Sequence, residues 1–474
     1  MPSTRAIAVF AVLTAAVGCG TDHGIGLAAD YTLSVTPATL TIVRGLSGST
    51  TVAISRTNFT DAVTLSLADA PVGTIRPFSP GAPTGNSSTL TISVGATVAP
   101  GVYNLVVNGS ASAGNRSTAL TLTVSSSGGG SGITTVVVAT KLSCALSASG
   151  QAYCWGANGN GRLGGATSSE TCVDARFGFS NPCSTRPLAV NGGLTFAMLS
   201  AENGPPCGLT ASGAAYCWGL LGADTTAPTP LAGGLTLAEL SGLCGVTTSG
   251  AAYCWSNFGS APTPVPGSLT FATVSVGGAQ ICGVTTSEVA YCWGSNGSGQ
   301  LGDGTTTDRP VPTPVAGGLR FAALSAGWAW TCGVTTDGAA YCWGGSAYGA
   351  LGNGTNTNQL VPTRVVGELT FASLSAGDGH TCGVTVSGPA YCWGYNAYGQ
   401  LGDGTTTDRL VPTQVVGGHA FVGVSAAQIV PFFGHTCGVT TSGTVYCWGD
   451  NFGGELGDGT TTQRLVPTAV AFPP

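Results

Sequence analysis

LTFASLSAGDGHTCGVTVSGPAYCWGYNAYGQLGDGTTTDRLVPTQV, residues 369–415, is a full copy of a unit that repeats along most of this 474-residue chain. The cleanest copies advance by 50 residues, as Cys282, Cys332 and Cys382 show. Each copy holds four short runs with strand character, Leu-Thr-Phe-Ala-Ser-Leu, His-Thr-Cys-Gly-Val-Thr, Ala-Tyr-Cys-Trp-Gly and Leu-Val-Pro-Thr-Gln-Val, separated by Gly-rich segments. Four short strands cannot bury a face alone; repeated radially they can, and four strands per unit at this period is the propeller pattern. Seven copies lie between residues 133 and 474, the second and third lacking most of the Gly-rich loop. The expectation is an all-β fold containing a seven-bladed β-propeller.

Cysteine counts the blades independently. Seven pairs share one separation of ten residues: Cys144 and Cys154, Cys207 and Cys217, Cys244 and Cys254, Cys282 and Cys292, Cys332 and Cys342, Cys382 and Cys392, Cys437 and Cys447. A hairpin turning through Val386-Ser387-Gly388 sets Cys382 opposite Cys392 on antiparallel strands. Facing positions have Cα atoms within the range a disulfide accepts. Zinc is the competing reading, but it asks for a second nearby Cys or His pair, which this spacing does not supply. One disulfide-stapled hairpin per blade is therefore expected, with Cys172 and Cys183 as a further bridge inside an insertion of the first copy. Of 17 cysteines, that leaves Cys19.

Cys19 has a context of its own. Arg5 supplies a positive n-region, Ala6 to Ala16 an apolar h-region too short to span a membrane, and small residues follow, which is the anatomy of an export signal. Ala16-Val17-Gly18-Cys19 resembles a bacterial lipobox, departing from it at Ala16, where Leu is preferred. The resemblance implies that Cys19 is lipidated and becomes the mature N-terminus of a membrane-anchored cell-envelope protein. Cleavage near Ala28-Ala29, giving a secreted protein, is the alternative. Both routes lead to an oxidising compartment in which disulfides persist.

The chain then divides into a signal peptide at 1–19, a tether at 20–29, a β-sandwich at 30–125, a Gly/Ser linker at 126–132 and the propeller at 133–474. Runs such as Tyr31 to Val35, Thr89 to Val94 and Thr118 to Val124 alternate with period two and are broken by Gly, Pro and Asn, the sandwich signature. Pro37 to Ile42 with Gly45 and Gly48 behind it, and Ala99-Pro100-Gly101-Val102-Tyr103, resemble bacterial immunoglobulin-like modules. The 30–125 stretch has no cysteine and no clustered ionisable groups, so a spacer that holds the propeller out is expected in preference to a site.

Charged residues make up only 7% of the chain, against about 25% in ordinary usage. Mean hydropathy is positive because charge is missing; beyond the N-terminus no apolar run reaches the roughly 18 to 20 residues of a spanning helix. Net charge is −6 and Lys141 is the single lysine, so there is no basic patch to neutralise phosphates, and nucleic acid is not an expected partner. Four histidines give little to build catalysis on: His23 is in the tether, His380 and His435 occupy one repeat position, and His419 has no acidic neighbour in sequence. Asp303 to Arg309, matched by Asp403 to Arg409, offers carboxylates and hydroxyls but lacks the ligand rhythm of a calcium loop, and Asx-turn chemistry accounts for it. No enzyme, cofactor or metal is expected.

Gly-Gln-Leu-Gly-Asp-Gly at 299–304 and 399–404, with Tyr-Cys-Trp-Gly in most copies, resembles the repeats of the regulator-of-chromosome-condensation family across residues 133–474. The resemblance implies a seven-bladed ring. One branch of that family is a nuclear guanine-nucleotide exchange factor and chromatin binder; a secreted bacterial branch includes a β-lactamase inhibitory protein. Export and acidity set this chain beside the exported bacterial branch, so exchange on a small GTPase does not transfer with the fold.

In a four-stranded meander the connections alternate between the two ends. Loops between strands 1 and 2 and between strands 3 and 4 therefore share one face of the disc, and the tight Thr-Ser-Gly turns share the other. The first, loop, face carries the length variation and the unrepeated aromatics Trp328, Trp330, Tyr348, Tyr395, Tyr398, Phe432, Phe433 and Phe452. Variable loops on a rigid repeat are where recognition residues are placed, and aromatics are enriched at interfaces. Alternatively, these rings cover the central channel and neighbouring loops. The Tyr and Trp of Tyr-Cys-Trp-Gly read instead as core between blades. The expected partner is an envelope or extracellular protein; a glycan stacked on the exposed rings is the second reading, and a hydrolase with a site in the channel the third.

Overall fold

The computed structural model describes residues 29–43, 47–95, 98–125, 132–174, 178–202, 204–219, 227–257, 259–427 and 434–473. The expectations at residues 1–28, Cys19 included, and at 126–131 lie outside them. Among the described residues the only helical pieces are two single 3-10 turns, Gly159–Gly161 and Ala347–Gly349, and no helix is long and apolar enough to cross a membrane.

Residues 30–125 fold as two sheets. One runs in the order Asp30–Thr36, Ser47–Thr57, Ser87–Val94 and Thr74–Ile75, with Phe78–Ser79 also pairing with Ser87–Val94; the other runs Thr39–Val43, Gly114–Ser125, Gly101–Ala111 and Thr64–Ala68. Period-two alternation sends Val52, Ile54, Leu90 and Ile92 of the first sheet and Leu105, Val107, Leu120 and Leu122 of the second into one shared core.

From Ile133 onward seven antiparallel sheets follow in chain order. Blade 6 is typical: Phe371–Ala376, His380–Thr385, Ala390–Gly394 and Arg409–Gln414. Every blade draws its strands from a single sequence copy, so blades and repeats coincide and no strand is exchanged where blade 7 meets blade 1. First strands touch first strands around the ring, which places them at the central channel. Blade 1 has a fifth strand, Thr171–Asp174, which pairs with Phe179–Ala189 and is bridged by Cys172–Cys183.

The seven equal cysteine pairs are all disulfides across the second and third strands. Cys382 and Cys392 are direct register partners with Cα atoms 4.1 Å apart, the close approach of a facing antiparallel pair. Beside five of the bridges, in blades 1 and 4 to 7, the third strand kinks at the Gly of Cys-Trp-Gly. Gly394 has φ +103, and a Cβ there would come within 2.5 Å of the Gly379 carbonyl oxygen, so glycine is needed at this kink, whereas the third copy, without the kink, has Ser256.

Blades are joined by the motif residues themselves. The indole N–H of Trp393 donates to the Ala350 carbonyl in the preceding blade's loop at 2.9 Å; Trp343 does the same to Gln300 at 3.0 Å, Trp448 to Gln400 at 2.9 Å and Trp155 to Glu455 at 2.9 Å. The ring lies against the glycine that follows: a Cβ on Gly402 would sit 2.7 Å from Trp448 Nε1. Gln-Leu-Gly-Asp-Gly and Cys-Trp-Gly are thus two halves of one interface, contributed by neighbouring copies. Nearer the channel, serine hydroxyls accept backbone N–H groups from the next blade: Ser200 from Gly242, Ser241 from Val276, Ser275 from Ala326, Ser325 from Ala376, Ser375 from Ala426 and Ser425 from Val138, at 2.8 to 3.1 Å.

The sandwich is not a free spacer, which corrects the expectation from sequence. It rests on the turn face of the disc. Ile75 is buried with Phe371 and Trp393, and Val72 packs in the cluster of Phe321 and Trp343. The Arg76 N–H donates to the Thr336 carbonyl at 2.9 Å, and its guanidinium pairs with Glu288 at 2.5 Å, both partners being in the tight turns. Ser93 to Gly95 reach the first strands of blades 1, 6 and 7 around a small cavity of about 160 Å³. The physical reason is the edge segment Pro71-Val72-Gly73-Thr74-Ile75-Arg76, whose Val72 and Ile75 pack into propeller clusters and are covered by docking.

Two outcomes follow. Cys382→Ser with Cys392→Ser should lower stability by about 2 to 3 kcal/mol, the chain-entropy value for a loop of this size, measured by denaturant unfolding under non-reducing conditions. Ile75→Asp should undock the sandwich, so that amide hydrogen exchange quickens in the turns at 286–289 and 336–339 while blade interiors stay protected.

Candidate binding face

The long loops between third and fourth strands are built around one asparagine. Asn296 Nδ2 donates to the carbonyls of Thr305 and Thr307, both at 3.0 Å, while its Oδ1 accepts from the Leu301 N–H at 3.0 Å. Asp303 closes the loop: Oδ1 accepts from the N–H and the hydroxyl of Thr305, and Oδ2 from Arg309 Nε at 2.7 Å. Asn396 with Asp403 and Arg409, and Asn451 with Asp458 and Arg464, repeat the arrangement. Burial alone would raise the Asp303 carboxyl; the hydrogen bonds from Thr305 and Arg309 outweigh it and hold the group below the usual carboxylate range. Oδ1 therefore makes the Asx turn that the sequence suggests, and Oδ2 is paired with Arg309. The asparagine was not singled out, although Trp-Gly-x-Asn recurs at one offset after each of Trp155, Trp293, Trp393 and Trp448.

On this scaffold the aromatics separate into two groups. Trp328 is 44% exposed and Tyr348 40%, with Tyr395 and Tyr398 half-buried beside them. The Tyr348 and Tyr395 rings lie 4.8 Å apart at 52°, and Tyr398 meets Tyr395 edge-on at 6.5 Å. Together with Ala347, Asn358, Asp378 and Gly379, the rings of Trp328, Tyr348 and Tyr395 line a cavity of about 240 Å³ at blades 4 to 6. Trp330 is different: only 3% exposed, it opens a second strand, forms part of the cavity wall and donates its indole N–H to Thr381 Oγ1 of the next blade at 3.2 Å. It is a blade-to-blade residue, not an exposed platform, and alignment on Cys332 places it at the position of His380 and His435. Phe452 is half-buried on the blade 7 loop, away from the cavity; Phe432 and Phe433 lie outside the described residues.

The histidines are structural in the same sense. His380 Nε2 bonds Thr436 Oγ1 and His435 Nε2 bonds Ser143 Oγ, each at 2.8 Å across a blade boundary. Burial pushes His380 down to about 4; burial, with His380 nearby, takes His435 to about 3. Two carboxyls that sequence reading passed over do similar work in blades 2 and 3. Glu239 accepts the Val274 N–H at 2.9 Å, and Glu202 accepts from the Ser241 hydroxyl. Burial holds both above the usual carboxylate range, and Glu202 adds to the shift of Glu239.

Residues 289–334, 337–384 and 387–428 match the regulator of chromosome condensation (RCC1) repeat, and a second model of that repeat matches 371–400 and 433–455. The chain carries RCC1 repeats. Among solved structures, human WBSCR16 is similar over 68% of this chain and 94% of its own, at 17% identity and a TM-score of 0.57. Yeast RCC1 (Prp20), solved with Kap60 bound to it, is 19% identical over 72% of this chain and 75% of its own, with a TM-score of 0.44. No curated protein matches by sequence. At these identities the structural likeness concerns the fold alone, and it is the repeat matches that identify the repeats as RCC1.

The histidine geometry sets a pH dependence. Unfolded histidine binds a proton near pH 6.5, whereas native His380 and His435 stay neutral down to about 4 and 3, so their contribution is full above 6.5 and is lost as pH falls toward 4. The raised carboxyls act oppositely, so a variant isolates the effect: Gln stands naturally at the equivalent Gln280. Relative to His380→Gln/His435→Gln, the parent RCC1 propeller should lose about 2 kcal/mol per histidine between pH 7.5 and pH 5, read from denaturation midpoints.

Proposed function

We propose that this protein is exported and lipid-anchored at Cys19 in a bacterial cell envelope, where its propeller binds another protein through the loop face. The observation that carries the reading is the division of labour between the two faces. The sandwich occupies the turn face through Ile75, Val72 and Arg76, whereas the loop face presents an apolar cavity rimmed by the exposed rings of Trp328 and Tyr348. Rigid aromatic side chains beside a preformed concavity are what interface hot spots are made of. Eight disulfides support an oxidising compartment, and the export anatomy of residues 1–19 supplies the route. The RCC1 propeller is a scaffold for protein interaction, and no exchange activity is proposed for it here.

A glycan is the second reading, favoured by one observation: Asn358 and Asp378 stand beside the exposed rings, a pairing of stacking surface and polar groups that sugars also use. An envelope pull-down with the full chain tests the first reading and a glycan array the second. Trp328→Ala/Tyr348→Ala should abolish partner capture and leave the melting temperature unchanged; capture that survives these substitutions removes the loop face from consideration.

A further inference from the structure

The rings of Trp328, Tyr348 and Tyr395 come together around one cavity. Tyr348 and Tyr395 meet at 52° rather than in parallel, and both line the cavity with Trp328, whose indole lies over Gly278. The corner is held rigidly. Tyr348 sits at φ +57 inside the Ala347–Gly349 turn, and a Cβ on Gly278 would be 2.8 Å from Trp328 Cε3, so even a methyl group there would displace the indole.

The electrostatics of this corner have one sign. Asp378 lines the cavity, and none of its described lining residues is basic. The arginines of the neighbouring loops, Arg309 and Arg409, are paired with Asp303 and Asp403 of their own loops. The Tyr395 hydroxyl is held above its usual range first by burial, and the one group among the further causes that is charged at neutral pH, Asp408, is an anion. Aromatic faces with a carboxylate beside them attract a cation and repel an anion.

We infer that the loop-face cavity receives a cationic side chain, an arginine or lysine, projecting from the protein partner. The inference rests on the loop-face reading above and deepens it by naming the chemistry of the anchor. An aromatic corner of this kind gains from the cation's charge as well as from contact with its aliphatic stem.

The test uses N-acetyl-arginine amide and its neutral isostere N-acetyl-citrulline amide, titrated into the full chain and followed by saturation-transfer NMR. The arginine amide should bind at least about five-fold more tightly than the citrulline amide, consistent with a cation–π contribution. Trp328→Ala should remove that preference, Trp328→Phe should restore part of it, and Asp378→Asn should reduce it several-fold. Equal binding of the two amides, binding of neither, or a preference that survives Trp328→Ala overturns the inference. The pull-down separates the two readings: capture lost in Trp328→Ala/Tyr348→Ala while the amides bind equally leaves the face standing and removes only the cation, whereas capture that persists removes the face itself.

Discussion

Everything in the disc depends on a tryptophan N–H reaching a carbonyl in the blade before it. The blade's own hydrogen bonds make a four-stranded ladder, but a ladder of that size does not hold a ring. What fixes one blade against the next is the indole of Cys-Trp-Gly lying against the Leu-Gly of the preceding loop, with Trp393 on Ala350 and Trp448 on Gln400 as its clearest instances. The same carbonyls accept a threonine hydroxyl, from Thr381 at 2.9 Å and Thr436 at 2.8 Å, so each loop end is pinned twice by its neighbour. Buried carbonyls are thereby satisfied and the apolar rings enclosed in one step. The disulfides act inside blades, the indoles between them, and the serine hydroxyls near the channel repeat the linkage at a smaller radius.

Sequence made the within-blade geometry legible because that geometry is local. A ten-residue cysteine spacing about a Ser-Gly turn has only one comfortable antiparallel solution, and seven occurrences count seven blades. Contacts between blades link residues about one repeat apart, and no periodicity in a single copy reveals which of them meet. For that reason Ser375 and Glu239, which bond across blade boundaries, are not legible in one copy, whereas Asn396 bonds only within its own loop and is marked by its recurrence after Trp-Gly. Trp330 was misplaced for a related reason: it looked like a departure from the repeat, whereas its position is the repeat's blade-to-blade position filled by a larger side chain. The docking of the sandwich was hidden more deeply, since Val72 and Ile75 are two apolar residues in and beside a two-residue edge strand and nothing local says which surface will cover them.

The two faces of the disc have been given different chemistry by the same rule. On the turn face the connections are short and nearly invariant, which makes a flat bed on which another domain can sit. On the loop face the connections are long enough to organise themselves around Asn296, Asn396 and Asn451, and rigid enough to hold tyrosines in a fixed arrangement. Tyr348, at φ +57 in its turn, is directed against Tyr395, and the two rings meet 4.8 Å apart. The candidate site was legible in sequence to the extent of its face and most of its rings; its concavity arises from loops of adjacent blades and could only be seen in three dimensions.

The coincidence of blade and repeat makes the ring cyclic in a strict sense. Blade 7 meets blade 1 by the same devices as any other pair, Trp155 on Glu455, His435 on Ser143 and Ser425 on Val138, with no latch strand to mark the join. A chain opened at any turn-face link, between Val415 and Phe421 for instance, would encode the same disc. The join is therefore located by the sandwich alone: its polypeptide must enter the ring beside the bed on which it lies, at Gly132 against Gly443, and in choosing that bed it chooses which blade comes first.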